Sequence, residues 1–431
     1  MAKVGKFQSL NQRYSTFWQA PHRPLFLLSY LCALCTVAWW TLAEAIDLSV
    51  SLPVSLPAPL FVSYGLWHAH ELLFGFAGAA LGGYLLTALP SWTGGALLAG
   101  WPLKLLVVAW AGERAVVACA ELLPLGVVLL GGGGYFLCLS LLLLREILRA
   151  KAYRKLGFAI LVLALGGGNQ LFLISALTGA TAVSHALLRG GLCGFCLLIF
   201  VVGSRAVPAF TNNWLAQSGR AERIAVHLQV GGLALGLLTA GLLVGAVLSA
   251  LVGWDSLAYG ACLILSVILL WQMRHWQCTL ALRNPLLAAL HLGYLWLPLG
   301  LMLLGANGLW GAQTGELWMP PGDALHSLTI GAMAGMIMAI SGRAAAHHHS
   351  GEMRATLGFR IGFGLIWICT WLRLMVGVVP DHGAMLISLA AGVWCLGWLA
   401  FVVGFFPALR GPIIRPVLSG KRHQNASKLF D

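Results

Sequence analysis

The stretch LWHAHELLFGFAGAALGGYLLTALP, residues 66–90, holds one charged side chain, Glu71, in twenty-five positions. A bilayer-spanning helix needs roughly 20 consecutive apolar residues, so this segment reads as a membrane span. It opens on His68-Ala69-His70-Glu71. Eleven more stretches of similar character follow or precede it, at 25–46, 101–122, 124–148, 156–178, 185–208, 223–249, 256–273, 285–306, 323–345, 356–379 and 384–408.

The expected fold is therefore an all-α, polytopic integral membrane protein of twelve transmembrane helices. Composition agrees: of 431 residues 59% are hydrophobic and 9% charged, with mean hydropathy +0.86. A soluble domain carries about a quarter charged residues. The loops are too short for a separate domain, so residues 1–431 read as one membrane unit. Three four-span sets, 1–150, 151–283 and 284–431, suggest themselves without a clear sequence repeat. The first span reads as retained, because no Ala-x-Ala cleavage site follows it.

Net charge is +13, and its placement gives orientation. With twelve spans, every Lys and Arg except Arg114, Arg189 and Arg373 falls on one side. The opposite loops carry Asp47, Glu121, Asp255, Glu316, Asp323 and Asp381. By the positive-inside rule both termini are cytoplasmic, and the expected location is a membrane crossed many times. The basic excess reports orientation and anionic lipid, with no support for nucleic acid as a partner. Ten cysteines lie in apolar helices and none in an external loop, so no disulfide framework is expected.

That topology brings four imidazoles to one depth. His68, His70, His185 and His326 occupy the first turns of the second, sixth and tenth segments, all entering from the external face. Ionisable groups in a bilayer are costly, and several at one level argue for a bound metal or redox group. Imidazole suits iron, copper and zinc. A single such histidine would be read as an ordinary interfacial residue. Residues two apart on a helix point about 200° apart, so His68 and His70 cannot share one metal on a regular helix. Two centres, or one ligand and one supporting group, are the alternatives. Glu71, three residues after His68, is a candidate for orienting that ring or relaying protons.

Arg189 follows His185 by four residues and shares its face, and Arg373 lies near the external end of its helix. Guanidinium suits bidentate pairing with carboxylates, those of a heme or of Glu71. Arg114 stands beside Glu113, where a structural ion pair is the competing reading. Cys193 and Cys196 continue the His185 face but read as small hydrophobes. His382 is on the correct side to join the cluster. His227, His275, His291 and His347–His349 are elsewhere. The glycine runs 131–134 and 166–168 are packing devices in lipid.

Several segments resemble the NnrS family of bacterial membrane proteins. The resemblance is carried by Trp67-His68-Ala69-His70-Glu71-Leu72-Leu73-Phe74-Gly75-Phe76, with Leu89-Pro90-Ser91-Trp92-Thr93-Gly94 after it. It continues in Gly203-Ser204-Arg205-Ala206-Val207-Pro208-Ala209-Phe210-Thr211-Asn212-Asn213 and His326-Ser327-Leu328-Thr329-Ile330-Gly331-Ala332-Met333. Arg23-Pro24 stands ahead of the first span. The chain departs from the family at His348-His349-Ser350-Gly351-Glu352, where Glu352 replaces an expected Arg. The resemblance implies twelve spans, heme b and copper, and a role in the nitric oxide response. Fold-level analogy with heme–copper oxidases sets heme between spans two and ten and copper near span six.

The function expected is a heme- and copper-containing protein of nitric oxide metabolism or nitrosative-stress resistance. Nitric oxide, or a related small nitrogen species, would bind at a heme near the periplasmic face. Metal candidates are His68, His70, His185 and His326; cofactor-binding candidates are His70, His326, Arg189 and Arg373. In an enzyme version, reductase-like, Glu71 or Glu113 supplies protons and a membrane or periplasmic donor supplies electrons. The competing classes are a twelve-helix secondary transporter and a copper- or heme-handling assembly factor.

Overall fold

The computed structural model describes residues 16–49, 64–218, 255–346 and 353–410, with 413, 417 and 418. Helices account for the architecture. They are α1 (His22–Ser49), α2 (Tyr64–Thr93), α3 (Trp101–Cys119), α4 (Leu125–Arg149), α5 (Tyr153–Leu177) and α6 (Thr181–Gln217). The second part holds α7 (Asp255–Met273), α8 (Pro285–Thr314), α9 (Pro321–Ala345), α10 (Leu357–Val378) and α11 (Pro380–Leu409).

Ten of these are long and apolar enough to cross a membrane, so the chain is a multi-pass membrane protein in a lipid bilayer. Helix α3 is the exception. Lys104, Glu113 and Arg114 give it three charged residues, and two of them neutralise each other. The span expected at 223–249 lies outside the described residues, as do His227 and His347–His349. The external faces carry large apolar groups such as Leu130 at 84% exposure and Val403 at 67%. Such exposure would be costly in water and is ordinary against lipid.

The closest helix pairs are α10 with α11 and α7 with α8, and α11 returns to pack on α1. The Trp394 indole donates to the Ala33 carbonyl at 2.8 Å, and Tyr30 stacks on Trp398 at 5.4 Å between centroids. In lipid the hydrophobic effect does not separate helices from solvent, so close backbone approach decides the contacts. The α10–α11 seam shows it: a Cβ at Gly362 would stand 2.7 Å from the Gly397 carbonyl oxygen. All ten cysteines are free.

Two helices depart from α-geometry at corresponding places. In α2 the segment Glu71–Ala77 is π-helical, and in α9 so is Ser327–Ala334. Each begins directly after a histidine, His70 and His326. A π-turn leaves carbonyls poorly paired, and in lipid such groups must find protein partners. Around the first, Trp110 donates to the Gly75 carbonyl at 3.0 Å, Ser29 to Phe76 at 2.9 Å and Tyr135 to Gly78 at 2.9 Å. Period and composition of the sequence carry no sign of these widened turns.

Candidate functional site

The first turns of α2, α6 and α9 meet at one end of the bundle around a cavity of about 560 Å³. His68, His185, Arg189, His326 and Arg373 all line it. Its deeper walls are apolar, with Trp40, Phe76, Leu192, Met333 and Trp394. The volume lies within the ~300–1,000 Å³ of small-molecule sites, and an apolar lining with a few convergent polar groups is their usual form.

Each imidazole has a distinct setting. His326 Nδ1 donates to the Gly322 carbonyl at 2.5 Å. A carbonyl can only accept, so Nδ1 carries the hydrogen and Nε2 keeps its lone pair. Ligating histidines are commonly held in this way. His68 lies against Trp40 at 4.7 Å between ring centroids, and its buried Nδ1 has no hydrogen-bond partner. His185 and Arg189, on α6, are exposed at the cavity wall.

Arg373 lines the same cavity as His68 and His326. It is ion-paired with Asp323, on the α9 turn that carries His326. Asp323 is 4% exposed, and its second oxygen, Oδ2, is buried without a partner. Sequence reasoning placed Asp323 among the loop acids. Its position three residues before His326, one helical turn away, was the available signal.

His70 stands elsewhere. As helical geometry requires, it turns away from His68, and it does not line the cavity. It belongs to a buried ring of polar side chains. His70 Nε2 meets Asn169 Oδ1 at 2.6 Å and Nδ1 meets Glu71 Oε1 at 3.1 Å. Arg114 donates to Glu71 at 2.8 Å and to Glu113 at 2.6 Å. Asn169 Nδ2 closes the ring on Glu113 at 2.6 Å and also donates to the Gly132 carbonyl at 2.8 Å.

Those two acceptors fix the Asn169 amide with Oδ1 toward His70. His70 Nε2 therefore donates to it, and the Arg114 guanidinium sits between the two carboxylates, as low dielectric demands of buried charges. Asn169 was hidden behind the glycine run 166–168. An amide within an apolar span, where polar groups are costly, was the overlooked sign.

Glu71 thus turns to His70 and Arg114 rather than to His68 or Arg373. The remaining candidates are apart from the cavity. Cys196 is buried on α6 and His382 is exposed at the start of α11; neither lines it. His291 contacts Thr211 Oγ1 at 2.9 Å and Cys278 Sγ at 3.2 Å. Among the described residues, no group of three or more His, Cys, Asp or Glu is arranged to hold a metal ion.

Fold and cavity together define a multi-pass helical membrane protein with a histidine- and arginine-lined chamber at one end. The chain belongs to the NnrS family: the model of that family, described as NnrS protein, matches residues 16–412. Membership associates it with the nitric oxide response. No curated protein matches the chain.

Proposed function

We propose that this chamber is a heme site at which nitric oxide, or a related small nitrogen species, binds, and that the protein serves nitric oxide metabolism or resistance to nitrosative stress. The observation that carries this reading is the convergence of His68, His185, Arg189, His326 and Arg373 on one cavity from four helices.

The donor set fits heme. His326 offers an Nε2 lone pair on a ring held by Gly322, and His68 brings an imidazole with an unsatisfied buried nitrogen. Arg189 and Arg373 would take the propionate carboxylates, as guanidinium does elsewhere. Trp40, Phe76 and Trp394 would pack on the macrocycle and exclude water. Bound heme would supply an iron centre with affinity for nitric oxide. Copper is less well served. His185 is the described residue nearest to that role, and no described cluster of three ligands accompanies it, so no chemistry is assigned through copper.

Glu71 and Glu113, on α2 and α3, are each held by Arg114 and do not line the chamber. They are the carboxylates that would relay protons if bound nitric oxide is reduced. Such turnover would also draw electrons from a membrane or periplasmic donor. The setting of this reading is a twelve-span protein of the bacterial inner membrane, with both termini cytoplasmic and the chamber on the periplasmic side.

Protein purified in detergent from heme-supplied cells should show a Soret band that shifts on adding nitric oxide or carbon monoxide. A colourless preparation would remove the proposal and favour a transporter.

A further inference from the structure

Next to the chamber, α2, α6 and α9, with Phe26 of α1, line a second cavity of about 80 Å³ that is partly open to the flank of the bundle. Ala80 and Tyr84 of α2, Phe195 and Val202 of α6, and Met333 and Met336 of α9 contribute to its wall. The Tyr84 hydroxyl is the single hydroxyl, amide or charged group among the lining side chains. Met333, 3% exposed, is the residue that lines both cavities.

The lining side chains offer water at most one of the two to four partners it needs, and apolar cavities of this kind stay dry. An apolar cavity of about 150 Å³ takes benzene or xenon, so roughly half that volume limits the occupant to a few atoms. Tyr84, Ile199, Ile337 and Ile340 of the same wall are partly exposed on the flank of the bundle. An apolar gas concentrates in hydrocarbon rather than water, and the partly exposed side chains of this flank are apolar apart from the Tyr84 hydroxyl. Methionine is unbranched with three rotatable bonds and repacks readily, which suits the Met333 side chain to swing aside.

We propose that this pocket is a holding site for one small apolar gas molecule, passed to the chamber across Met333. Nitric oxide as the physiological occupant rests on the reading of the chamber given above; the pocket's capacity for a diatomic or monatomic gas does not.

Xenon is the probe. Full-length protein in detergent, with or without heme, is equilibrated with xenon and followed by ¹²⁹Xe NMR, or its crystals are pressurised with the gas. The expected result is one xenon between Ala80, Phe195 and Met336, lost in the pocket-filling variants Ala80→Ile and Val202→Phe. Thermal unfolding establishes that these variants are folded. Should neither fold, dissolved nitric oxide competing against xenon in the unaltered chain gives the same decision: xenon occupancy must fall as nitric oxide rises. Absence of xenon from the pocket, xenon indifferent to filling variants that melt normally, or xenon indifferent to nitric oxide would each overturn the proposal. Xenon binding without any Soret response would instead sink the chamber reading alone.

Discussion

Asn169 accepts a hydrogen bond from His70 Nε2 at 2.6 Å, although the two residues are 99 positions apart and belong to α5 and α2. This contact closes the polar ring, and it joins the helix bearing His68 to the first hairpins of the bundle. Chamber and ring are adjacent through α2, where Leu72, Leu73 and Phe76 face the cavity while His70 and Glu71 face the ring.

Removing Arg114 alone should be more damaging than removing it together with Glu71 and Glu113. Arg114→Gln leaves Glu71 and Glu113 buried against each other, a defect worth ~3–5 kcal/mol. The triple variant Glu71→Gln, Glu113→Gln, Arg114→Gln should recover much of that loss. Thermal unfolding in detergent gives the comparison. Equal destabilisation of both variants would contradict the charge balance assigned to the ring.

The chamber histidines and His70 should separate by readout. His326→Ala and His68→Ala are expected to lose the Soret band while retaining near-normal melting. His70→Ala should keep the band and melt lower, because it leaves Asn169 and Glu71 short of partners at ~1–3 kcal/mol per buried group. Spectra and melting curves of the three proteins decide it, and a colourless His70→Ala of normal stability would reverse the assignment.

Arg373 carries one of the two charges offered to heme propionates. A charge-assisted hydrogen bond contributes ~1.5–3 kcal/mol, so Arg373→Gln should weaken heme retention by roughly ten- to a hundredfold. Asp323→Asn removes the competing anion and should leave retention equal or higher. Heme transfer to an apo-globin acceptor measures both.

The α10–α11 seam should not tolerate a side chain at Gly362. Its Cβ would meet the Gly397 carbonyl oxygen at 2.7 Å and Phe401 Cβ at 3.1 Å. Gly362→Val should cost ~1–3 kcal/mol by forcing the helices apart, whereas Gly364→Ala, with open space around it, should be near neutral. Melting temperatures test the pair.

Orientation is open to labelling. In a background without the exposed Cys35, Cys119 and Cys138, Asp381→Cys should react with a membrane-impermeant maleimide from the periplasm. Leu357→Cys, at the other end of α10, should react only after the membrane is permeabilised. The opposite pattern would invert the charge-based topology.

Hydropathy alone was enough to mark the helices, because length and polarity are properties of contiguous residues. Ten of the expected spans are recovered as apolar membrane-length helices, and α3 is recovered as a helix with an internal ion pair. The motif around His68 and His326 likewise identified the family. Helical periodicity separated His68 from His70, and the structure sends them to the chamber and the ring respectively.

What a span pairs with is another matter, since lipid and neighbouring helix are equally apolar and the sequence does not distinguish them. Only the tertiary structure joined Arg373 to Asp323, Arg114 to Glu71 as well as to its neighbour Glu113, and Asn169 to His70. The π-turns after His70 and His326 belong to the same class. Partners from other helices satisfy the carbonyls around the first of them, so the sequence of α2 alone does not specify it. Identity and spanning segments are local properties of the chain; the chamber and its polar ring exist only where distant helices bring their few polar side chains together.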